Sequence, residues 1–202
     1  MKIELGDIIH SLNTGLNPRQ FFKLNTDGAS NYYITIKEIV DGKIVTTDKT
    51  DKIDDMALVL CNNRSNLEVG DILFSGTGTI GETAVVMKSP DNWNIKEGVY
   101  AIKPNQAIVL PQFLRYMLMT NDIKHAYMKR SVGGTVKSIP MGELKKIVIP
   151  IPSIAVQKQL VEVLEYFDMF CNNLTSGLPA EIEARQQQYE FYRDELLNFK
   201  EI

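Results

Sequence analysis

The chain has few of the residues that most enzyme and metal sites require. Among its 202 residues there are two cysteines, Cys61 and Cys171, and two histidines, His10 and His125, and no Cys-x-x-Cys pair or Cys/His cluster occurs. A structural zinc site, a disulfide framework and a histidine-based catalytic triad are therefore not expected. The sequence also lacks a phosphate-binding P-loop and the motifs Gly-x-Ser-x-Gly, His-Glu-x-x-His and Asn/Asp-Pro-Pro-Tyr/Phe. We therefore expect no catalytic activity in this chain, no metal site and no cofactor of its own.

Long apolar runs are also absent. No window of eighteen consecutive apolar residues occurs, and the N-terminal segment has no signal-peptide layout. These two absences predict a soluble, cytoplasmic protein that makes no contact with a membrane.

The formal net charge of -3 hides an uneven distribution. Residues 1–150 contain 18 Lys and Arg against 16 Asp and Glu, a net charge of +2, whereas residues 151–202 contain 4 against 9, a net charge of -5. Within residues 124–146 there are six basic residues and one acidic residue, a net charge of +5. A patch of this size suits phosphate binding, and the alternative is a solvated surface.

Short strands and turns dominate the first 110 residues. Residues 32–36 and 43–47 are rich in strand formers and flank Asp41-Gly42, which predicts a hairpin; the apolar run 57–61 predicts another strand. Residues 76–81 match the dinucleotide pattern Gly-x-Gly-x-x-Gly, but a β-branched run follows the third glycine where that fingerprint needs a helix. A glycine-threonine hairpin is expected instead. Its amides and hydroxyls suit phosphate oxygens, and the alternative is a tight turn between buried strands.

Helical patterns begin at Pro111 and dominate the end of the chain. One helix is expected around residues 111–127. Lys145 and Lys146 open a predicted basic strand that stops at Pro150-Ile151-Pro152, and Ser153 is a good N-cap for a helix that begins there. The first helical segment has one seam of apolar residues, which either covers its own domain or faces a partner: Val156, Leu160, Val163, Phe167, Phe170 and Leu174.

After the breaker at residues 176–179 the helical pattern resumes. Its seam again steps by three and four residues: Ile182, Arg185, Tyr189, Tyr192, Leu196 and Phe199. Few residues follow that could cover this seam, so a partner helix is the more economical explanation. We therefore expect an α+β domain of mixed and antiparallel strands at residues 1–152, followed by a long, coiled-coil-like helical spacer and dimerisation arm at residues 153–202.

Several of these segments resemble those of a known family. The stretch Gly133-Gly134-Thr135-Val136-Lys137, the stretch 144–152 and the helical glutamines Gln157 and Gln159 resemble the end of a target-recognition domain in DNA-specificity (S) subunits of type I restriction-modification enzymes. Residues 177–197 resemble the repeat helix that follows such a domain. The segments Leu5-Gly6-Asp7-Ile8 and 70–81 are similar to its opening and central boxes.

The resemblance implies a non-catalytic subunit that reads double-stranded DNA and docks adenine-N6 methyltransferase (M) subunits and, through them, a restriction (R) subunit. S-adenosylmethionine, ATP and Mg would belong to those partners. Family members usually carry two recognition domains and two repeat helices, whereas this sequence has one of each. We therefore expect either a natural half-subunit or one half of a longer protein, and in both cases a homodimer with antiparallel arms would restore the full layout and read a bipartite site.

Two other functions remain open from the sequence. One is a dimeric DNA- or protein-binding adaptor without a methyltransferase partner, and the other is a small enzyme that uses the glycine loop on a phosphorylated substrate. If the chain is a DNA-specificity subunit, the candidate DNA-binding residues lie in loops and in the basic patch: Arg64, Ser75, Thr77, Thr79, Lys129, Arg130, Thr135 and Lys137.

Overall fold

The computed structural model describes residues 1–173 and 179–198, with side chains for all of these except 170–173, 179–182 and 184. The strands are β1 (Lys2–Glu4), β2 (Ile9–Thr14), β3 (Asn31–Ile34), β4 (Ile39–Val40), β5 (Lys43–Ile44), β6 (Lys52–Ile53), β7 (Ile72–Ser75), β8 (Thr83–Val85), β9 (Trp93–Ile95), β10 (Val99–Pro104) and β11 (Val148–Pro150). The helices are α1 (Pro18–Phe21), α2 (Asp55–Ser65), α3 (Pro111–Met119), α4 (Asn121–Lys129), α5 (Met141–Lys145), α6 (Ile154–Asn173) and α7 (Pro179–Leu197).

A four-stranded antiparallel sheet in the order β2-β10-β7-β8 forms the centre of the domain. A second sheet, β6-β3-β9, contains one antiparallel and one parallel pair. Strand β1 pairs with β11 and so joins the start of the chain to the segment just before α6. The predicted α+β class, with mixed and antiparallel strands followed by helices, is confirmed.

The central sheet is buried on both faces because its side chains alternate between two cores. Ile72 and Phe74 of β7 belong to one cluster together with helices α3, α6 and α7, and Leu73 between them belongs to another with β3 and β9. The β7 strand is therefore apolar throughout. It fixes the position of the loop that follows it at residues 76–82.

The Asp41-Gly42 turn forms a hairpin as predicted, and its second strand, β5, begins the predicted strand 43–47, but its first strand is β4 rather than residues 32–36. It joins β4 to β5, with φ of 48° at Asp41 and 74° at Gly42, as a two-residue hairpin turn requires. The predicted strand at residues 32–36 corresponds to β3, which pairs with β6 and β9 instead.

The predicted strand at residues 57–61 is wrong, because this run lies inside helix α2. The Asp54 carboxylate accepts a hydrogen bond from the Ala57 N–H at 2.8 Å and caps the start of the helix. Asn66 closes the helix in the left-handed conformation with φ of 42°. These two flanking residues, rather than the composition of the run, decide its conformation.

The predicted helix over residues 111–127 is two helices. Pro111 begins α3 as expected, and Thr120 interrupts the pattern between α3 and α4 with an extended backbone. The Thr120 hydroxyl donates to the Met117 carbonyl at 2.8 Å, which satisfies an orphan acceptor at the end of α3.

Among the helices that the structure describes, none has both the length and the apolar character needed to cross a bilayer.

Helix α6 is fastened to the domain by a buried glutamine. Gln157 is fully buried; its Oε1 accepts from the Leu110 N–H at 2.9 Å, and its Nε2 donates to the carbonyls of Ile108 and Pro152 at 2.9 and 3.0 Å. Both N–H donors and the carbonyl oxygen of one side chain are thus used to hold α6 against two loops. Ser153 precedes the helix, and its Oγ lies 3.5 Å from the Val156 N–H, the contact expected of an N-cap.

The buried Asp71 predicts a pH dependence of stability. Its carboxylate accepts from the Glu68 N–H at 2.9 Å in the turn before β7, and burial raises its pKa to about 6 although Lys103 lies 4.0 Å away. Because this pKa lies above the unfolded value, the folded protein binds the proton first, and stability is lost as pH rises from about 4 to above 6. Replacing Asp71 by Asn keeps an acceptor for Glu68 and removes the buried charge.

We expect Asp71→Asn to raise the free energy of unfolding at pH 7.5 by on the order of 1 kcal/mol, and the gain to shrink at pH 4.5. Urea unfolding at the two pH values measures it. Glu68→Gln is the control. Lys103 holds the pKa of the exposed Glu68 below its usual range, so removal of the Glu68 charge should bring no such gain. A gain for Asp71→Asn that is equal at both pH values would contradict the role given to the buried charge.

Candidate nucleic-acid interface

The glycine loop, residues 76–82, joins β7 to β8 and lies closely on two tyrosines. A Cβ at Gly76 would lie 2.2 Å from the Tyr100 ring, and a Cβ at Gly81 would lie 2.0 Å from the Tyr127 hydroxyl. Strand β8 follows the loop, so the prediction of a hairpin rather than a dinucleotide-binding turn is confirmed. The residues Thr77, Gly78 and Thr79 are exposed at its tip.

Ser75 holds the glycine loop from inside and is not exposed to a ligand. Its Oγ donates to the Thr79 carbonyl at 2.6 Å and accepts from the Glu82 N–H at 2.8 Å, and the residue is 1% exposed. A buried hydroxyl with both functions in use cannot contact a duplex. The expectation that Ser75 binds DNA directly is therefore replaced by a structural role beneath Thr79.

The basic loop, residues 130–139, connects α4 to α5. Val132 and Ser138 exchange two backbone hydrogen bonds of 2.8 Å, and Gly133 has a φ of 105°, which favours glycine. Residues 132–137 are exposed, including the predicted Thr135 and Lys137. Lys129 and Arg130 are exposed where α4 ends and the loop begins.

The two loops are joined to each other, although about 60 residues separate them in sequence. Gly78 N–H donates to the Lys137 carbonyl at 2.8 Å, Ile139 N–H donates to the Gly76 carbonyl at 2.9 Å, and the hydroxyls of Thr77 and Ser138 lie 3.0 Å apart. We call residues 76–82 and 130–139 together the paired-loop surface. It brings together five of the predicted DNA-binding residues: Thr77, Thr79, Arg130, Thr135 and Lys137.

Tyr100 supports the paired-loop surface from below. Its hydroxyl donates to the Ile139 carbonyl at 2.7 Å, and its ring lies against Gly76. Burial raises the pKa of Tyr100 above its ordinary value, so the hydroxyl stays protonated and keeps donating at neutral pH. The geometry of both loops therefore depends on a side chain of the central sheet.

Two exposed valines were missed in the sequence. Val132 and Val136 are 57% and 60% exposed at the paired-loop surface. Exposed β-branched side chains beside a lysine and a threonine are able to contact the methyl groups of thymine bases. The only signal in the sequence was their position beside the Gly133-Gly134 turn.

Arg64 and the lysines 145 and 146 lie in elements other than those predicted. Arg64 is exposed in the last turn of α2 and not in a loop. Lys145 ends helix α5 rather than opening a strand, and the Lys146 ammonium pairs with Glu143 at 2.6 Å. The predicted basic strand is therefore wrong, because the strand β11 starts only at Val148.

The helical segment that follows the domain packs on it through residues that match the predicted seam only in part. Leu160 of that seam is half-buried against the main core, and the Phe170 side chain and Leu174 lie outside the described residues. On α6 the buried side chains include Gln157 and Leu164, while Val163 and Phe167 of the predicted seam are 42% and 36% exposed. The Tyr116 hydroxyl also donates to Asp168 at 2.7 Å. Apart from Leu160, the residues of α6 that face the domain are thus shifted by one position from the predicted seam.

Helix α7 also returns to its own domain. Tyr189, Arg193 and Leu197 are 8%, 3% and 3% exposed, and the first and last belong to the main core. The expectation that Tyr189 is uncovered is therefore corrected. Of the predicted dimerisation residues, Tyr192 and Leu196 are 45% and 38% exposed and Arg185 is half-buried; the Ile182 side chain and Phe199 lie outside the described residues.

The sequence is similar to proteins from several organisms. It is 35% identical over 130 residues to a putative type I restriction enzyme specificity subunit of Haemophilus influenzae, which covers 64% of this chain and 32% of that protein. It is 30% identical over 191 residues to a putative type I restriction enzyme specificity subunit of Methanocaldococcus jannaschii, covering 90% of this chain and 41% of that protein. The chain thus spans less than half the length of these relatives.

The fold is similar to solved structures. The HsdS subunit from Thermoanaerobacter tengcongensis superposes with a TM-score of 0.59 at 17% identity, covering 96% of this chain and 46% of that one. A type I restriction-modification S subunit from M. genitalium superposes with a TM-score of 0.57 at 15% identity, covering 87% and 41%. At these identities the likeness concerns the fold alone.

The family model for the type I restriction modification DNA specificity domain matches residues 1–184, which is most of the chain. The boxes that suggested the resemblance correspond to structural parts: the glycine loop with its buried Ser75, the basic loop, and the Gln157 fastening. The chain therefore belongs to the family of type I restriction-modification DNA specificity domains.

Proposed function

We propose that this chain is a non-catalytic DNA sequence-recognition subunit of a type I restriction-modification system, with its target-recognition domain at residues 1–152 and its spacer at residues 153–202. The observation that carries the proposal is the pairing of the glycine loop with the basic loop. It places threonine hydroxyls, exposed amides and a lysine on one surface next to the end of α4. Membership of the specificity-domain family supports it independently.

Two kinds of contact are expected from the paired-loop surface. Lys129, Arg130 and Lys137 are exposed cations that suit phosphates, which position a protein on DNA without specifying sequence. Thr79, Thr135 and Val136 are short exposed side chains that suit base edges and thymine methyl groups in a groove. Changes at Thr77 or Thr79 are therefore proposed to alter which sequence is preferred, and the same effect is proposed separately for Arg64, which is exposed in the last turn of α2.

The phosphate contacts give the first test of the proposed function. We expect Lys129→Ala and Lys137→Ala each to weaken binding to cognate and noncognate duplexes alike, and to flatten the dependence of log K on log salt by about one unit per lost contact. Binding titrations of the assembled complex at several salt concentrations measure both quantities. Lys158→Ala, which removes an exposed lysine from α6, is the control and should leave the slope unchanged. Unchanged affinity and slope in both loop variants would show that the basic loop is only a solvated surface.

We also propose that the exposed helical faces are used by partners. The chain matches 32% of one relative and 46% of one solved S subunit, so a second copy would complete a two-domain layout, and antiparallel arms would place two domains on a bipartite site. Two arms of about 28 Å, the length of 19 helical residues, would separate the domains by nearly one turn of DNA. Methyltransferase subunits, and through them a restriction subunit, would dock on the remaining surface and supply S-adenosylmethionine, ATP and Mg.

A further inference from the structure

A groove of about 320 Å³ lies beside the glycine loop, and three lysines line it. Lys37 comes from the turn after β3, Lys49 from the segment before β6, and Lys96 from the turn between β9 and β10. All three are exposed. We call this feature the lysine groove. Lys96 is distant in sequence from Lys37 and Lys49, and residues 37–52 hold as many acidic as basic residues, so a local charge count does not indicate the groove.

The acidic residues of the lysine groove are largely committed to the protein itself. Glu38 is 8% exposed, and its Oε2 accepts from the Thr35 backbone at 2.8 Å and from the Thr35 hydroxyl at 2.7 Å. Asp51 accepts from the Asn25 side chain at 2.7 Å. Only Glu97 adds an exposed carboxylate to the lining. In the part of the chain that the structure describes, none of the three lysine ammonium groups has an ion-pair partner within 4.0 Å.

The lysine groove and the paired-loop surface share a wall. Thr77 lines the groove and also contacts Ser138 across the paired loops. The turn that carries Lys96 is fixed to the same loop, because Gly76 N–H donates to the Gly98 carbonyl at 2.8 Å. A Cβ at Gly98 would lie 3.1 Å from the Thr77 Cβ, so this turn packs tightly on Thr77. One continuous surface therefore runs from the basic loop through Thr77 to the three lysines.

We propose that Lys37, Lys49 and Lys96 form a second set of phosphate contacts for duplex DNA, which adjoins the basic loop at Thr77. This inference rests on the proposed function and extends it to residues that neither the sequence patterns nor the family resemblance indicated. The ligand group is the phosphate backbone, because unpaired ammonium groups on exposed stems are suited to point charges and carry no base specificity. With two sets of cations adjoining Thr77, that threonine would be held next to the DNA backbone, within reach of a groove.

The test is a set of lysine variants in the assembled complex with the methyltransferase. Lys37→Ala, Lys49→Ala and Lys96→Ala should each flatten the salt dependence of DNA binding by about one unit, equally on cognate and noncognate duplexes, and the triple variant by two to three units. Lys96→Arg should keep the slope, and Glu97→Gln should tighten binding. Lys158→Ala serves again as the control. Equal melting temperatures for all variants will show that the fold is unchanged.

Phosphate ethylation interference locates the contacts. Ethylation of each contacted phosphate should block binding of the protein without substitutions. In the lysine-groove variants, ethylation should no longer matter at one subset of these phosphates. In Lys129→Ala and Lys137→Ala, it should no longer matter at a different subset. If the lysine-groove variants bind normally while the basic-loop variants are weakened, the second contact set is wrong and the proposed function stands. If neither group of variants alters binding, the DNA surface as a whole is wrong.

Discussion

Replacing Gly76 by alanine is expected to reduce DNA binding at least tenfold and to destabilise the domain by about 1–3 kcal/mol. The new methyl group would lie 2.2 Å from the Tyr100 ring, which belongs to the buried central sheet and has no room to move. Gly76 also donates to the Gly98 carbonyl and accepts from the Ile139 N–H. A shift at this one residue would therefore displace the glycine loop from both the basic loop and the turn that carries Lys96.

Gly134→Ala is the matched control for Gly76→Ala. Gly134 lies in the basic loop, has no positive φ, and a Cβ there would meet no atom within 4 Å. We expect it to leave DNA binding and stability nearly unchanged. Chemical denaturation gives the stability of each variant, and titration at low temperature, where Gly76→Ala remains folded, gives its affinity. A folded Gly76→Ala protein that binds within twofold of the original would contradict the dependence of the DNA surface on this contact.

Local signals in the sequence predicted several parts of the fold correctly. The Asp41-Gly42 turn and the glycine hairpin follow from residues that favour positive φ next to strand formers. Pro111 marks the start of a helix because it lacks an N–H that a first turn does not need. Each of these predictions depends on residues within a few positions of one another.

The errors have a common physical cause, which is that a polar side chain decided the conformation or the burial. Helix α2 forms because Asp54 caps it, although its apolar run reads as a strand. The buried seam of α6 includes Gln157, which a search for apolar periodicity passes over. Arg193 is buried on α7, 5.9 Å from the Tyr189 ring centroid, and its guanidinium donates to Asp194 at 2.8 Å. Buried polar residues with hydrogen-bond partners therefore explain the misassigned faces of two helices, α6 and α7.

The candidate site could be predicted only in part. Thr77 and Lys137 were recognisable as loop residues of the right chemistry, but their proximity depends on one bridge between distant segments. Ser75 has the same chemistry as its neighbours and differs only in being buried. The lysine groove depends on three turns that different strands hold in place. The spacing of residues in a single sequence carries no information about which distant segments lie close together in the fold.

The exposed face of α7 gives the second large expected effect. The α7 seam predicted from the sequence includes Tyr189, which is buried in the domain core. A glutamate there would disturb the core, so loss of a dimer could result from unfolding as well as from a lost interface. Tyr192 and Leu196 lie one helical turn apart and are 45% and 38% exposed. If two copies pair through this face, each side chain would contribute about 1.5–3 kcal/mol of burial, and a glutamate in its place would be desolvated without a partner.

We therefore expect the double variant Tyr192→Glu, Leu196→Glu to weaken self-association at least a hundredfold, about 2.7 kcal/mol, and to leave the melting temperature of the domain close to that of the original. Light scattering across a range of concentrations measures the association, because the dimer fraction changes with concentration by mass action. Gln187→Glu adds a charge to an exposed position of the same helix and should leave the dimer intact. A double variant that remains dimeric, or an original protein that is monomeric at every concentration and with its methyltransferase bound, would remove this face from the interface.

A monomeric variant should also lose the ability to bridge the two halves of a bipartite site. Each half-site should still be bound weakly, because the paired-loop surface lies in the domain and not on the arm.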